Sequence, residues 1–386
     1  MRLLHISDLH IGKHVNEFPM IDDQRYILDT LLDIIRTREV DALLIAGDIY
    51  DRSSPSAEAV ACVDEFLSAV AQTGASCFAI AGNHDSAERV AYASSLLAKN
   101  RIHLSPVYDG TIAHVTMEDE HGSVVFWLIP FLKPAHVRTY FPDDAIDDYT
   151  SALECALDAC PIDRTQRNVA IAHQFVTFGG SEPERSDSEL SLGGMDNVDA
   201  SVFEAFDYVA LGHIHRPQRL ARDTMRYSGS PLKYSASEMR YPKSAPLIEL
   251  GPKGDVSIEL VVLEPLHDMR AIKGPIADLT ADDTVSSLDP EDREDYIHAV
   301  LTDEFPPIDA LSKLRAVYPN VMSVSYDNAR TSAENEEILG IDADEMSDMN
   351  PLELFARFYR DQNGEEMTAR QYETALHALE KSEENR

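Results

Sequence analysis

The first half of this chain alternates short apolar runs with amphipathic segments, and the apolar runs keep ending on residues that can bind a metal. Leu3–Ser7, Ala42–Ala46 and Cys77–Ala81 read as buried strands. Asp22–Thr37 and Ala57–Thr73 read as helices between them, the second stopped by Gly74. Such alternation implies a parallel-rich sheet with helices on its faces. Val124–Pro130, Val169–Ala172 and Tyr208–Leu211 add strands, and Thr111–Met117 folds onto Val124–Pro130 as a hairpin around His121-Gly122. Leu247–Leu250 and Val256–Leu263 complete the set. The expectation is a layered α/β/β/α domain over residues 1–265.

Five motifs sit where these strands end: Asp8-Leu9-His10, Gly47-Asp48, Gly82-Asn83-His84-Asp85, Ala172-His173 and Gly212-His213-Ile214-His215. In a layered α/β protein the loops after the strands converge on one crevice, so ligands belong there. The one-residue spacing in Asp8-x-His10 and His213-x-His215 would put each pair on one side of an extended backbone. Glycines 47, 82 and 212 would let the chain turn sharply. Taken singly, an Asp-x-His or an Asn-His is usually a surface loop. Oxygen and imidazole ligands at five separate strand ends are hard to assemble by accident.

The set Asp8/His10, Asp48, Asn83-His84, His173 and His213/His215 resembles the signature of the calcineurin-like metallophosphoesterases. The wording of Ile6-Ser7-Asp8-Leu9-His10-Ile11-Gly12-Lys13, Gly47-Asp48-Ile49-Tyr50-Asp51-Arg52, Gly82-Asn83-His84-Asp85-Ser86 and Gly212-His213-Ile214-His215-Arg216-Pro217-Gln218 is similar to the SbcD family of bacterial nuclease subunits. The likeness is strongest over residues 1–250. It implies a four-layer α/β/β/α metallophosphoesterase sandwich with a small α/β capping domain and a C-terminal helical segment that binds a partner. It implies two divalent ions, manganese by family preference. Asp8, His10 and His215 would hold one, Asn83, His173 and His213 the other, with Asp48 bridging. His84 would face the substrate, stabilising charge or protonating the leaving 3′-oxygen. Asp85 would hold the His84 ring, or cap a helix over Ser86–Lys99, or do both. The mixed ligand set by itself suits manganese, iron or zinc alike. The implied activity is double-strand exonuclease and endonuclease cleavage of DNA, with hairpin opening. The implied partners are an SbcC-like coiled-coil ATPase and a second copy of the chain within the complex.

A formal charge of −35 argues against a simple nucleic-acid coat. The charge is uneven, however. Arg216, Arg219, Arg222, Arg226, Lys233, Arg240 and Lys243 follow His215, opposed only by Asp223 and Glu238, while Lys13, His14 and Arg52 flank other metal loops. That pattern reads as a phosphate track for DNA through Lys13, Arg52, Arg216, Arg219 and Arg222, with Gly229-Ser230-Pro231 supplying backbone N–H groups near the substrate. The competing reading is an ordinary solvated surface.

The 386 residues exceed one compact domain. Residues 266–330, with strand-like Tyr296–Leu301 and Val321–Tyr326 around a helix at Ile308–Val317, read as a small α/β module, which the SbcD resemblance implies is the capping, DNA-binding domain. Residues 331–349 are an acidic linker. In 350–386, Asn350, Pro351 and Glu353 start one helix and Thr368 with Gln371 start another. Their apolar stripes, with Phe355, Phe358, Tyr372 and Leu376, would dock on the ATPase by the SbcD resemblance, or otherwise on the protein's own core. No secretory signal or membrane-length apolar run is visible, and Cys62, Cys77, Cys155 and Cys160 lack metal or redox spacing, so a cytoplasmic chain with unpaired thiols is expected. A stand-alone phosphoesterase acting on nucleotides or phosphoproteins, and a non-catalytic scaffold, are the alternatives. The extra segments after residue 265 weigh against the first, and the intact ligand set against the second.

Overall fold

A computed structural model describes residues 1–189, 196–289 and 291–327, together with scattered positions between 355 and 376. Two six-stranded sheets form its centre. In the first, the strands run in the order Val256–Leu263, Lys243–Leu250, Arg2–Ile6, Ala42–Ile45, Ser76–Ala79 and Ile102–Leu104. In the second, the order is Gln218–Leu220, Arg222–Tyr227, Tyr208–Gly212, Arg167–His173, Gly122–Ile129 and Ala113–Asp119. The middle strands of both sheets pair in parallel, so their carboxyl ends emerge together.

Burial explains the layering. Arg167–His173 is buried along its whole length, whereas edge strand Ala113–Asp119 alternates between half-buried and exposed residues. Leu3, Leu44, Phe78, Phe126, Val169 and Ala210 belong to the core between the sheets, where Phe78 and Phe126 stack at 4.3 Å. A second core packs Ile21–Thr37 and Ala57–Thr73 on the first sheet, and a third packs Tyr149–Asp158 on the other. This is the expected α/β/β/α sandwich. The hairpin also forms as expected, in register from Ala113↔Leu128 to Asp119↔Gly122.

The expected helix Ser86–Lys99 is broken into Ala87–Val90, Ser94–Leu97 and a 3₁₀ turn. Ala93 takes a left-handed φ of 58°, which interrupts the ladder, and Tyr92 and Leu96 are left exposed. Strands Gln218–Leu220, Arg222–Tyr227 and Met269–Gly274 are additions to the expected set. Their polar and basic residues mask the apolar alternation.

The chain divides into two compact bodies. The first is Met1–Ile272 with Ala277–Ala299 and Asp309–Val324; the second is Lys273–Ile276, Val300–Ile308 and Ser325–Arg386. A three-stranded sheet orders Met269–Gly274, Tyr296–Leu301 and Val321–Tyr326, and the helix between the last two strands is shorter than expected, at Ala310–Arg315. Within the first body, Asp23 at the start of the first long helix accepts hydrogen bonds from the His267 backbone N–H at 3.1 Å and the Tyr296 hydroxyl at 2.8 Å. Within the second body, Thr368 N–H donates to Gln371 Oε1 at 2.8 Å, and Tyr372 N–H to the Thr368 carbonyl at 3.0 Å, which is the expected helix start. The linker 331–349, and Asn350, Pro351, Glu353 and Phe358, lie outside the described residues. All four cysteines are unpaired. Among the described residues no helix is long and apolar enough to cross a membrane.

Candidate metal centre

The metal motifs meet because the strand pairing continues beyond the strands. Asp8 N–H donates to the Gly47 carbonyl at 3.1 Å, His10 N–H to Asp48 at 3.0 Å, and Ile11 N–H to Ile49 at 2.9 Å. These rungs carry Asp8, His10 and Asp48 into left-handed backbone, at φ 53°, 46° and 50°, and His213 lies at 99°. The expected explanation by extended alternation therefore fails. The candidate ligands are aimed by locally strained turns, as functional sites often are.

The glycines also differ from expectation. Only Gly47 needs a positive φ, at 86°. Gly82 and Gly212 are required by crowding: a Cβ on Gly82 would meet Asp48 Oδ1 at 2.1 Å, and one on Gly212 the Ala46 carbonyl oxygen at 1.9 Å.

The ligand candidates fall into two groups. In one, donor atoms of Asp8, His10 and His215 lie within 4.8 Å of one another, with the two Nε2 atoms of His10 and His215 facing at 3.1 Å. In the other, Asn83 Oδ1 lies 2.9 Å from both His173 Nε2 and His213 Nδ1. Between them, Asp48 Oδ2 is 3.8 Å from His10 Nε2 and 3.3 Å from His173 Nε2. Asp8, His10, Asp48, His173 and His215 are buried, while Asn83 is exposed at the mouth.

The donor set fits divalent cations. His173 Nδ1 sits 2.8 Å from the Ala46 carbonyl, so it carries a proton, and Nε2 faces two oxygen acceptors. Burial works against a charged His173, yet Asp48 overcomes it and holds the imidazole up at about 9. Burial also opposes ionisation of Asp48, and the His173 charge reverses this and keeps it well below the usual carboxylate range. Burial raises Asp8 and lowers His10 and His213, the last to about 3. Carboxylate oxygens and imidazole nitrogens clustered this closely in a buried pocket form a donor set suited to divalent cations, which would take the place of the His173 proton.

His84 lines the same cleft. Its backbone N–H donates to Asp48 Oδ1 at 2.9 Å, and its Nδ1 pairs with the Asp51 carbonyl at 3.0 Å. Asp85 therefore neither holds the His84 ring nor caps a helix. Its carboxylate accepts three backbone N–H groups, from Ile49, Tyr50 and Gly82 at 2.9–3.1 Å, and so ties two metal loops together. The cap belongs to Ser86. Burial and the nearby Asp48 push Asp85 up to about 6.

The basic track is largely engaged elsewhere. Arg216 pairs with Glu184, and Arg219 with Asp223 at 2.8 Å. Arg222 donates to the carbonyls of Phe203 and Phe206 at 3.0 and 2.8 Å, finishing a 3₁₀ turn. Lys233 pairs with Asp268, and Lys243 is buried against Glu238. Gly229 packs on Pro217, and Ser230 is fully buried, so that stretch shapes the fold rather than the mouth. Lys13 and Arg52 both pair, at 2.9 and 3.4 Å, with Asp51, the residue whose backbone carbonyl meets the His84 ring. Arg185, stacked 3.8 Å from the Phe175 ring centre, lines the wall. Sequence reasoning misses Arg185, Asp51, Ser188, Glu189 and Glu238, because none stands in a ligand-like spacing.

Two sheets converging on a paired Asp/His/Asn cluster define a metal-dependent phosphoesterase. The comparisons agree: the model of calcineurin-like phosphoesterases matches residues 1–217, and the chain belongs to that family. A second family model, described as the type 5 capsule protein repressor C-terminal domain and named for SbcD, matches residues 265–363. The chain is similar to the SbcD subunit of the nuclease SbcCD from Staphylococcus epidermidis, 29% identical over 369 residues and covering 94% of each. Among solved structures it is similar to a dimetal phosphatase from Danio rerio (11% identity, 68% of this chain and 96% of that one, TM-score 0.41). It is also similar to GAP50 of Plasmodium (11% identity, 86% and 98%, TM-score 0.35). Both structural likenesses are too loose to bear on function.

Proposed function

We propose that this chain is the metal-dependent DNA nuclease component of an SbcCD-like end-processing complex, acting as exonuclease and endonuclease and opening hairpins. The observation that carries the reading is the single carboxylate oxygen of Asp48 between two ligand groups. Asp8, His10 and His215 would hold one divalent ion and Asn83, His173 and His213 the other, with Asp48 placed to serve both. The donor set alone suits manganese, iron or zinc, and the family resemblance favours manganese. Such a pair of ions supplies an activated water and stabilises the attacking and leaving oxygens of an in-line displacement.

The protein's own residues do the rest. His84, fixed through Nδ1 on the Asp51 carbonyl, presents its other nitrogen to the substrate. Protonated there, it donates to the leaving 3′-oxygen. Asp85 holds the Asp48 and Asn83 loops in register. Arg52, exposed beside Asp51, and Arg185 in the cleft wall, where it also meets Glu182, are the cations nearest the site for backbone phosphates, with Lys13 held on Asp51. Likeness to a nuclease component over 94% of both chains supports DNA as substrate, a role in repair and recombination, and an SbcC-like ATPase as partner. Residues 266–330 act as the DNA cap, and the segment from 350 docks on the partner. Exposed Phe355, Tyr372 and Leu376 are consistent with that docking.

The test is cleavage of an end-labelled DNA hairpin with manganese, with and without the ATPase. Manganese-dependent cutting is expected. An enzyme that hydrolyses mononucleotides or phosphopeptides but leaves every DNA substrate intact would instead be the stand-alone phosphoesterase.

A further inference from the structure

We infer that Ser188 and Glu238 form a directional hydrogen-bond relay that fixes the tautomer of His215, making the loop that carries Ser188 a positioning part of the metal centre. The inference rests on His215 being a ligand, as proposed above. His215 Nε2 faces His10 in the Asp8 group. Its Nδ1 lies 2.8 Å from Ser188 Oγ. Ser188 Oγ lies 2.9 Å from Glu238 Oε1, and Glu238 Oε2 lies 2.6 Å from Lys243 Nζ. Glu238 is fully buried and Lys243 is 3% exposed.

Donor and acceptor capacities set the direction of the chain. The Lys243 ammonium can only donate, so the carboxylate facing it is ionised and can only accept. Lys243 also donates to the His215 carbonyl at 2.9 Å and to Ser230 Oγ at 2.8 Å, which fills its donors. Ser188 has one hydroxyl proton: with Ser186 Oγ, 2.6 Å away, donating to it, that proton goes to Glu238. Ser188 then offers His215 only a lone pair, and Glu238 Oε1, 3.4 Å from the same Nδ1, can likewise only accept, so the imidazole must place its proton on Nδ1. Nε2 is left with its lone pair directed at the Asp8–His10 group. Partners of this kind orient a ligating imidazole and hold its tautomer.

The next residue of the same loop reinforces this. Glu189 Oε1 accepts the His215 backbone N–H at 2.5 Å. Ser188 and Glu189 also line the cleft. One loop therefore forms a wall of the substrate site and grips one metal ligand at both ring and backbone. The second ligand group, Asn83, His173 and His213, has no contact with Ser188 in this network. The relay thus predicts an effect on one ion only.

The experiment is manganese titration of the metal-stripped full chain, by calorimetry and by electron paramagnetic resonance. Wild type should bind two ions as a coupled pair. Ser188→Ala should weaken one ion by at least about 10-fold, leave the other at wild-type affinity, and convert the coupled signal to a mononuclear one. Ser188→Thr, which keeps the hydroxyl, should restore the pair. Wild-type affinity for both ions in Ser188→Ala overturns the relay. So does equal weakening of both ions together with a lower melting temperature of the metal-free variant, because a merely structural serine would behave that way. Fewer than two ions on wild type would instead overturn the ligand assignment beneath it.

Discussion

Substituting Gly82 by alanine tests the bridging geometry without touching a ligand. Gly82 is held by its N–H to Asp85 Oδ2 at 3.0 Å, and it lies against Asp48. An added Cβ would stand 2.1 Å from Asp48 Oδ1, against 3.4 Å for ordinary contact, a shortfall of about 1.3 Å. The obstacle includes backbone, since Asp48 N would be 2.4 Å away, so rotating the side chain alone does not relieve it. Metal–oxygen distances tolerate only about 0.2 Å, and a misplacement near 1 Å costs about 100-fold in rate. Asp48 Oδ1 also accepts the His84 N–H, so the same displacement moves the candidate acid. The expected result is a folded protein with a loss of about 100-fold or more in kcat on bis(p-nitrophenyl) phosphate and a reduced manganese stoichiometry. Gly254→Ala is the control: its φ of 84° is strained for alanine, but its Cβ would meet nothing within 4 Å. A Gly82→Ala protein with normal turnover and two tightly bound ions would refute the placement of Asp48 between the metals.

His84→Ala should lower kcat by about 100- to 10,000-fold while both ions stay bound, as metal analysis of the purified variant would show. Arg222→Ala should destabilise the fold by about 1–3 kcal/mol in urea, since two buried carbonyls lose their donor, yet leave the salt dependence of DNA binding unchanged. Arg52→Glu, at an exposed rim cation, should instead flatten that dependence by about one unit of slope per lost phosphate contact. Arg167 holds Asp119 well below the usual carboxylate range, mainly through its hydrogen bonds at 2.5 and 3.0 Å. A depressed carboxylate contributes stability above its unfolded pKa of about 4, and that stability is lost as pH falls through the folded value. Asp119→Asn should therefore melt earlier than wild type at pH 7, with the gap closing on strong acidification.

The parts of the fold legible in the sequence are those where periodicity and burial coincide. Val169–Ala172 and Tyr208–Leu211 are buried apolar runs leading into the candidate ligands His173 and His213, and nothing competes with that reading. Arg222–Tyr227 is hidden because its half-buried positions carry Arg222, Thr224 and Arg226. A run of arginines signals charge before it signals pleat, which is why it reads as a phosphate track. The individual ligand residues stand out because imidazole and carboxylate at strand ends are chemically conspicuous. Their supports do not. Glu238 and Lys243 stand five residues apart across a 3₁₀ turn, and their pairing, buried beside His215, depends on tertiary packing. The sequence misleads at Asp85 because its nearest neighbour in the chain, His84, is not its partner in space.

The same supports explain how a strained site persists. Left-handed backbone at Asp8, His10, Asp48 and His213 costs on the order of 1–3 kcal/mol per residue. The backbone rungs from Asp8 to Gly47 and from His10 to Asp48 hold the first three, and they extend from sheets whose shared core includes Leu44, Phe78 and Phe126. The rings are anchored separately: His173 on the Ala46 carbonyl, His215 on Ser188, and His84 on the Asp51 carbonyl. In each case one ring nitrogen is taken by the protein and the other is left for chemistry. Rotamer freedom is thus lost on folding rather than on binding, so it does not subtract from affinity for metal or phosphate. A chain carrying a net −35 has little long-range attraction to offer a polyanion. Rigid, locally placed cations and ions at one cleft are the physical alternative, and they predict that DNA affinity should depend more steeply on bound metal than on the global charge of the protein.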